Sequence, residues 1–457
     1  LNYYTNEYVK RDMNKAIFYL NLAANQNYSE SQYLLGLIYY ENKYVERDIN
    51  KSIHYFTQAS NQNHLEAQFN LGEIYVKGDF INRDIKKSIY YFNLAANKNH
   101  ITSIFNLGLI YYENKYIERD INISIQYFTQ GANLKDSKSQ FFLGLIYYEG
   151  KFIKRDINKA IKYFVLSSNQ NQSIASFYLG LIYFDGKLIP KDIDKSIYYF
   201  KLAANNNYAE AQINLGVIYY DDIYKKKDIK KSIHYFTLSS NQNHPRAQFY
   251  LGKIYYEGKF VQQNIEKALH YLTLSANKND PDASYFLGSI YYNGEYITKD
   301  INKAIHYYSI SAYKNLPEAQ YMLGIIYYEG KYIKQNVHKG IGFLMLSSNN
   351  GFVEAQFSFG FLCHEGKNLN RDIKKSIKLY KEASSFNYQY AKNNLGIIYK
   401  NGYGDEISKN IEWATIYFEE AIKQSNDKLS MYNLSHIYIY DESSTPENIE
   451  KSIDLLI

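Results

Sequence analysis

The chain has 457 residues, with 52 Lys and Arg against 46 Asp and Glu, 17% aromatic residues including 53 tyrosines, and a single cysteine, Cys363. One cysteine excludes a disulfide framework and a multi-cysteine metal site, and a charge excess of six falls well short of a nucleic-acid-binding signature. The single cysteine makes the cytosol the default compartment; no run reaches the roughly 18 apolar residues of a membrane helix, and the first residues resemble neither a signal nor a transit peptide.

Leu1 to Asp12 aligns with Leu37 to Asp48, so the chain is expected to open partway through a helix; at the other end it closes partway through another, at Ile457. Between these ends Gly36, Gly72, Gly108, Gly144, Gly180, Gly216, Gly252, Gly288, Gly324, Gly360 and Gly396 recur at intervals of 36 residues with no insertion. Length alone would suggest about three domains, but the unbroken period leaves no linker between separate cores. Residues 1–457 are therefore expected to form one array of about twelve stacked helical hairpins.

The unit from Tyr28 to Asn63 shows the pattern. Its first helix places Ser31, Leu35 and Tyr39 on one stripe, with Ala67, Leu71 and Tyr75 as the equivalents one unit on. The second helix is expected to start at a side chain able to accept from free backbone amides: Asp12, Asp48, Asp84, Asp120, Asp156, Asp192, Asp228, Asn264, Asp300, Asn336, Asp372, Asn410 and Asn448 are all strong N-cap residues. A small residue, Ile and an aromatic pair such as Tyr55-Phe56 follow, and the helix closes on a small pair such as Ala95-Ala96. Asn27 and its equivalents, with Gly351 and Lys135 standing in, fit a left-handed turn after the second helix. Gly78, Gly150, Gly186, Gly258, Gly294, Gly330, Gly366 and Gly402 fit the same role after the first, with Asn42, Asn114 and Asp222 substituting.

A glycine inside a helix costs about 1 kcal/mol relative to alanine, so the Gly36 series implies close helix approach. Near the end the register slips: Asn410 lies 38 residues after Asp372, and Ser435 replaces the helical glycine, which marks 397–457 as irregular repeats.

Together the pattern small-x-x-x-Leu-Gly-x-Ile-Tyr-Tyr-x-Gly, then Asp-Ile-x-Lys-Ser/Ala-Ile-x-Tyr-Phe-x-x-Ala/Ser-Ala/Ser-x-x-Asn, resembles the Sel-one-like repeat (SLR) family of the tetratricopeptide superfamily. One departure is systematic, since the family usually has Gly where this chain has Asn27 and its equivalents. The fold expected is all-α, a right-handed α-solenoid superhelix of antiparallel helix pairs. The resemblance implies a non-catalytic scaffold or adaptor that binds proteins or peptides, with the first helices lining the concave side. The rival readings are the interaction array of a larger enzyme, such as a kinase, whose catalytic domain lies outside this segment, and a structural spacer.

No catalytic constellation, phosphate loop or metal cluster is legible, and no cofactor or small-molecule ligand is expected. Cys363 occupies a slot otherwise held by Tyr and reads as a buried packing residue, with His364 in the Tyr40 slot. His54, His234, His270 and His306 share one helix position, and His64, His100 and His244 one loop position; stacked units lie about 8 to 10 Å apart, too far for a shared metal. The five glycosylation sequons, at Asn27, Asn50, Asn122, Asn171 and Asn433, are what an Asn-rich chain gives by chance.

Two charge rows remain. Lys51, Lys87, Lys159, Lys195, Lys231, Lys267, Lys303, Lys339 and Lys375 stand near the start of second helices, and Glu41, Glu113, Glu149, Asp185, Asp221, Glu257, Glu329 and Glu365 near the end of first helices. Both oppose the helix dipole. Candidate partner-binding residues come from first-helix positions that vary between units, those of Leu34 and Leu37: Phe142, Leu145, Tyr178, Leu181, Tyr250, Phe286, Met322 and Ile325. Varying as they do, these positions are expected to be free of the packing role of Leu143, Tyr147, Leu179 and Tyr183.

Overall fold

The computed structural model describes residues 13–440 apart from 44, 405 and 426; Asp12, Asn448 and the two half-helices expected at the ends lie outside the described residues. Among the described residues the chain forms twenty-four α-helices of 12 to 15 residues, a 3-10 turn at Asp222–Tyr224 and no strand, only an isolated bridge between Tyr403 and Ile407. Contacts divide the chain into two compact units, Leu1–Asp228 and Ile229–Ile457. Each is an all-α solenoid in which every helix packs on its neighbours in sequence, and several first helices also touch the first helix of the next repeat, as 29–41 does 65–77.

Local chemistry sets the hairpins. The Asp48 carboxylate accepts the backbone N–H of Lys51 at 3.0 Å, and the same cap closes at Asp84, Asp156, Asp192, Asn264, Asp300, Asn336, Asp372 and Asn410. Asp120 accepts from both Asn122 and Ile123. Backbone N–H donation from each cap residue to the first helix, Asp48 to the Tyr39 carbonyl at 3.0 Å and Asp156 to that of Tyr147 at 3.0 Å, ties the two helices of a hairpin together. After the second helices, Asn27 and its equivalents and Lys135 hold φ between 59° and 65°. This is the left-handed region that Asn tolerates better than most residues.

Two loops depart from expectation. Asp222 does not take the left-handed conformation; it opens the 3-10 turn, and the positive φ falls on Lys225, at 52°. At the equivalent turns Asn, which enters the left-handed region readily, stands instead: Oδ1 of Asn42 accepts the Arg47 N–H at 2.9 Å and Oδ1 of Asn114 that of Arg119 at 3.0 Å. Gly402 combines φ 66° with ψ 167°, outside the left-handed helical region, because the two extra residues before Asn410 are taken up in the loop that carries the Tyr403 to Ile407 bridge.

The glycines inside first helices sit against an aromatic or leucine of the second helix. A Cβ added at Gly36 would lie 2.5 Å from the Phe56 ring, and one at Gly180 only 2.4 Å from Phe200; Leu272, Tyr308 and Leu344 fill the same role over Gly252, Gly288 and Gly324. Phe56, Phe92, Phe128, Phe164, Phe200 and Phe236 are completely buried. Ser52, Ser88, Ser124 and Ser196 donate to the carbonyls of Gly36, Gly72, Gly108 and Gly180 at 2.8 to 2.9 Å. Gln32, Gln68, Gln140, Gln212 and Gln320 are buried between repeats and donate to the last carbonyls of the preceding second helix at 3.2 to 3.4 Å.

Candidate partner-binding face

On each first helix, four residues spaced by four, three and four positions fall on one line that the core leaves partly open. In Ser137–Glu149 they are Lys138, Phe142, Leu145 and Glu149, and in Ser173–Asp185 they are Ile174, Tyr178, Leu181 and Asp185. Neighbouring lines meet edge to edge, as Asn106 shows by donating to the Glu73 carboxylate of the preceding repeat at 2.7 Å.

All eight candidate residues, Phe142, Leu145, Tyr178, Leu181, Tyr250, Phe286, Met322 and Ile325, are half-buried. The structure brings Phe142, Leu145 and Tyr178 together against one core cluster. It also corrects the expectation that they take no part in packing. The Phe142 ring stacks on Phe128 at 5.1 Å and meets Tyr112 edge-on at 5.7 Å; Tyr178 stacks on Phe164 at 5.3 Å and Tyr250 on Phe236 at 4.8 Å. Phe286 meets the Tyr256 edge at 5.2 Å, and Met322 lies against the cluster around Tyr308. The cause is geometric: each second-helix aromatic presses one side on the glycine of its own hairpin and leaves its other face to the next repeat, where the Leu34 position is the nearest side chain. These residues thus close the layer between repeats while part of each stays open to solvent.

The lysine row has a structural explanation that its sequence position hides. Lys51, Lys87, Lys159, Lys195 and Lys303 reach back to their own cap carboxylates at 3.3 to 3.7 Å. The same ammonium groups lie over first-helix tyrosines, Lys51 over Tyr39 at 5.2 Å and Lys159 over Tyr147 at 4.9 Å, and each tyrosine stacks on a second-helix tyrosine, Tyr39 on Tyr55 and Tyr147 on Tyr163. The cation therefore opposes the helix dipole but gains a carboxylate and a ring face. The Lys51 N–H holds the Asp48 carboxyl below the usual carboxylate range, with the Lys51 ammonium adding to it, and Lys195 does the same for Asp192.

A second cationic row lies one residue before the caps, where sequence reasoning found none. Arg47 lies over the Phe80 ring of the next repeat at 4.2 Å, Arg119 over Phe152 at 4.1 Å and Lys299 over Tyr332 at 3.9 Å. The signal was available as a period-36 pairing of a cation with an aromatic 33 residues on. Between two such loops, a recess of ≈ 520 Å³ is lined by Glu149, Asp185, Lys151, Arg155 and Lys187 with Tyr148 and Leu188. Its charges are mixed, and it contains neither histidine nor cysteine.

Cys363 is buried at 1% exposure, and burial pushes its thiol up, which makes it a packing group. His364 is buried against Tyr380 and hydrogen-bonds the Tyr403 hydroxyl, and burial lowers its pKa. His64 and His100 cap first helices: Nδ1 of His64 accepts the Ala67 N–H at 3.3 Å and Nδ1 of His100 that of Ser103 at 3.2 Å. Their other nitrogens face Glu30 at 3.1 Å and Glu66 at 3.7 Å. Among the described residues no group of three His, Cys, Asp or Glu is placed to share a metal ion, and no helix is long and apolar enough to cross a membrane.

With 36-residue hairpins, capped second helices and glycine-aromatic contacts in place, comparison with known families becomes decisive. The Sel1 repeat model matches thirteen consecutive segments, from 3–28 through 29–64, 65–100 and so on to 428–457. The chain belongs to the Sel1 repeat family. Among solved structures, this Sel1 repeat chain is similar to c5321, a protective antigen of uropathogenic Escherichia coli strains that displays an SLR fold, with a TM-score of 0.72 and 24% identity over 96% of this chain and 93% of that one. It is also similar to a Sel1 repeat protein from Oxalobacter formigenes, with a TM-score of 0.58 and 28% identity over 68% of this chain and 90% of that one. A comparison with curated protein sequences gives no match. Thirteen matched segments are one more than the about twelve units expected from the glycine period, because the partial units at both ends are counted.

Proposed function

We propose that this Sel1 repeat array is a non-catalytic protein-interaction scaffold that binds protein or peptide partners on its first-helix faces, the concave side by analogy with the superfamily. The observation that carries this reading is the line of half-buried side chains at the Leu34 and Leu37 positions. The hairpin keeps nearly the same residues at Leu35, Gly36 and Ile38, whereas the Leu34 and Leu37 positions beside them change from unit to unit among Leu, Ile, Val, Asn, Phe, Tyr, Met, Ser, Lys and Glu. Variation beside an unvarying core gives each repeat its own contact chemistry, and exposed aromatic and aliphatic anchors supply the energy of such contacts. Where an acid, an imidazole and a hydroxyl do meet, at Glu66, His100 and Ser103, the serine is completely buried and Nδ1 of His100 is engaged in the helix cap, a packing arrangement.

The test is affinity capture with the full chain, repeated with Leu145→Asp combined with Leu181→Asp and with Ile325→Asp alone. These residues are half-open and lack the ring stacking of Phe142 and Tyr178. The reading expects specific partners to be lost from one of these variants while the circular dichroism spectrum is unchanged. A spacer would retain no partner at any stage, and an interface elsewhere would retain the same partners in all variants.

A further inference from the structure

Three consecutive first helices of the second unit, Pro281–Asn293, Pro317–Glu329 and Val353–Glu365, make a continuous acidic run. They carry five carboxylates, Asp282, Glu318, Glu329, Glu354 and Glu365, and no lysine or arginine, in a chain whose net charge is +6. The first helices on either side return to cations, with Arg246 and Lys253 before them and Lys392 and Lys400 after. The middle helix presents the line Glu318, Met322, Ile325, Glu329, two carboxylates with two apolar residues between them. The next helix repeats the pattern with Phe361, 44% exposed, between Glu354 and Glu365.

The chain does not answer most of this charge. Asp282 faces Arg246 at 3.7 Å, and among the described residues no cation lies within ion-pair distance of Glu318, Glu329, Glu354 or Glu365. Oε2 of Glu318 is buried and has no hydrogen-bond partner, a costly state for a carboxylate oxygen unless a donor arrives. The position that supplies His64 opposite Glu30 and His100 opposite Glu66 is here Phe352 after Glu318 and Tyr388 after Glu354.

Resting on the interaction-scaffold reading above, we propose that this face docks a basic amphipathic helix of a partner protein, its apolar stripe on Met322, Ile325 and Phe361 and its Lys and Arg side chains reaching the carboxylates on both flanks. The spacing selects a helix. Glu318 and Glu329 are eleven residues apart, about 16 Å along their helix, which matches the roughly 10 to 12 Å width of an α-helix with basic side chains extending from each flank. A single extended strand is narrower, about 5 Å from backbone to backbone, and has to span the same distance almost wholly on its side chains. The unanswered negative charge repels polyanions such as nucleic acid and acidic lipid surfaces and attracts a cationic segment.

The full chain is titrated by fluorescence anisotropy with a synthetic amphipathic helix of leucine and lysine and with its leucine and glutamate counterpart. The lysine peptide is expected to bind, more weakly as salt rises, and the glutamate peptide to bind at least about tenfold more weakly. Glu318→Lys combined with Glu354→Lys is expected to weaken the lysine peptide by about tenfold or more and to strengthen the glutamate peptide, with an unchanged circular dichroism spectrum. Equal binding of both peptides, or unchanged binding by this variant, overturns the proposal. If the glutamate substitutions have no effect but Ile325→Asp abolishes binding, the basic-partner inference fails while the interaction face stands; if Ile325→Asp also has no effect, both fail.

Discussion

The first-helix edge is built twice in this molecule with opposite results. In the first unit two carboxylates near first-helix starts meet an imidazole: Glu30 faces His64 at 3.1 Å and Glu66 faces His100 at 3.7 Å, while His64 also stacks on Tyr33 and caps its helix. In the second unit the same places after Glu318 and Glu354 are taken by Phe352 and Tyr388, which pack against Tyr321 and Phe357 and bring no imidazole to the carboxylate. The scaffold beneath is built alike in both, with capped second helices, left-handed turns and glycines pressed on a phenylalanine, tyrosine or leucine. A repeat can therefore change the chemistry of its face without touching the interactions that fold it, and the two classes of residue should separate cleanly under mutation.

The largest effect should come from the contact that both units share. Gly180→Leu drives a side chain into the Phe200 ring, which a Cβ alone would approach to 2.4 Å, and should cost about 3 kcal/mol or more, since overpacking outweighs the better helix propensity of leucine. The control is Gly342, whose Cβ position has nothing within 4 Å; Gly342→Ala should stabilise by about 1 kcal/mol. Chemical denaturation midpoints that shift in the same direction for both would remove close approach as the reason for glycine.

Next in size is Phe142→Ser, which removes a ring stacked on Phe128 and should cost about 1 to 3 kcal/mol, below the full cost of a buried phenylalanine because the residue is half-open. An unchanged melting temperature would return Phe142 to the surface and make it a pure contact residue. Smaller still is the cap. Asp156→Ala should lose about 0.5 to 2 kcal/mol, whereas Lys159→Ala, which gives up only an exposed ion pair and a ring contact, should lose less than about 1 kcal/mol. Equal losses for the two would mean that the lysine, not the cap, organises the helix start.

The smallest effect is on pH dependence. The Asp48 and Asp192 carboxyls are held below their ordinary range by the N–H groups they accept, so their stabilisation is fully present above an unfolded pKa of about 3.9 and is lost as pH falls through the lower folded value. Asn caps equally well without titrating. Replacing both by Asn should therefore flatten the fall in melting temperature below about pH 4, and parallel acid limbs for variant and parent would contradict the assignment.

Residues close together in the chain were the ones the sequence made legible. Cap residues act on amides three positions on, Asn27 acts through its own φ, and the 36-residue period reports hairpin length, so fold class and capping could be read from composition and spacing. The glycine series was legible as a close approach but not as a contact with Phe56 or Phe200, twenty residues on. What escaped was the pairing of rows: Lys51 with Tyr39, Arg47 with Phe80, Gln32 with the end of the preceding helix. Each depends on which side of one helix meets the next, and a one-dimensional pattern gives the rows without their facing. The same limit made Phe142 and Tyr178 look uncommitted, since variability at a position reveals tolerance of the layer between repeats and not absence from it. The candidate face was thus legible as a set of positions, while the split between unanswered and answered carboxylates needed the neighbours of Glu318 and Glu30 in space.

The most direct test of the face assignment is hydrogen exchange on the full chain, with and without the leucine and lysine helix at saturating concentration. Slowed exchange confined to the first helices 317–329 and 353–365, with the second helices 337–349 and 373–385 unaffected, is the expected result. Protection concentrated on second helices, or spread evenly over the first unit as well, would contradict it.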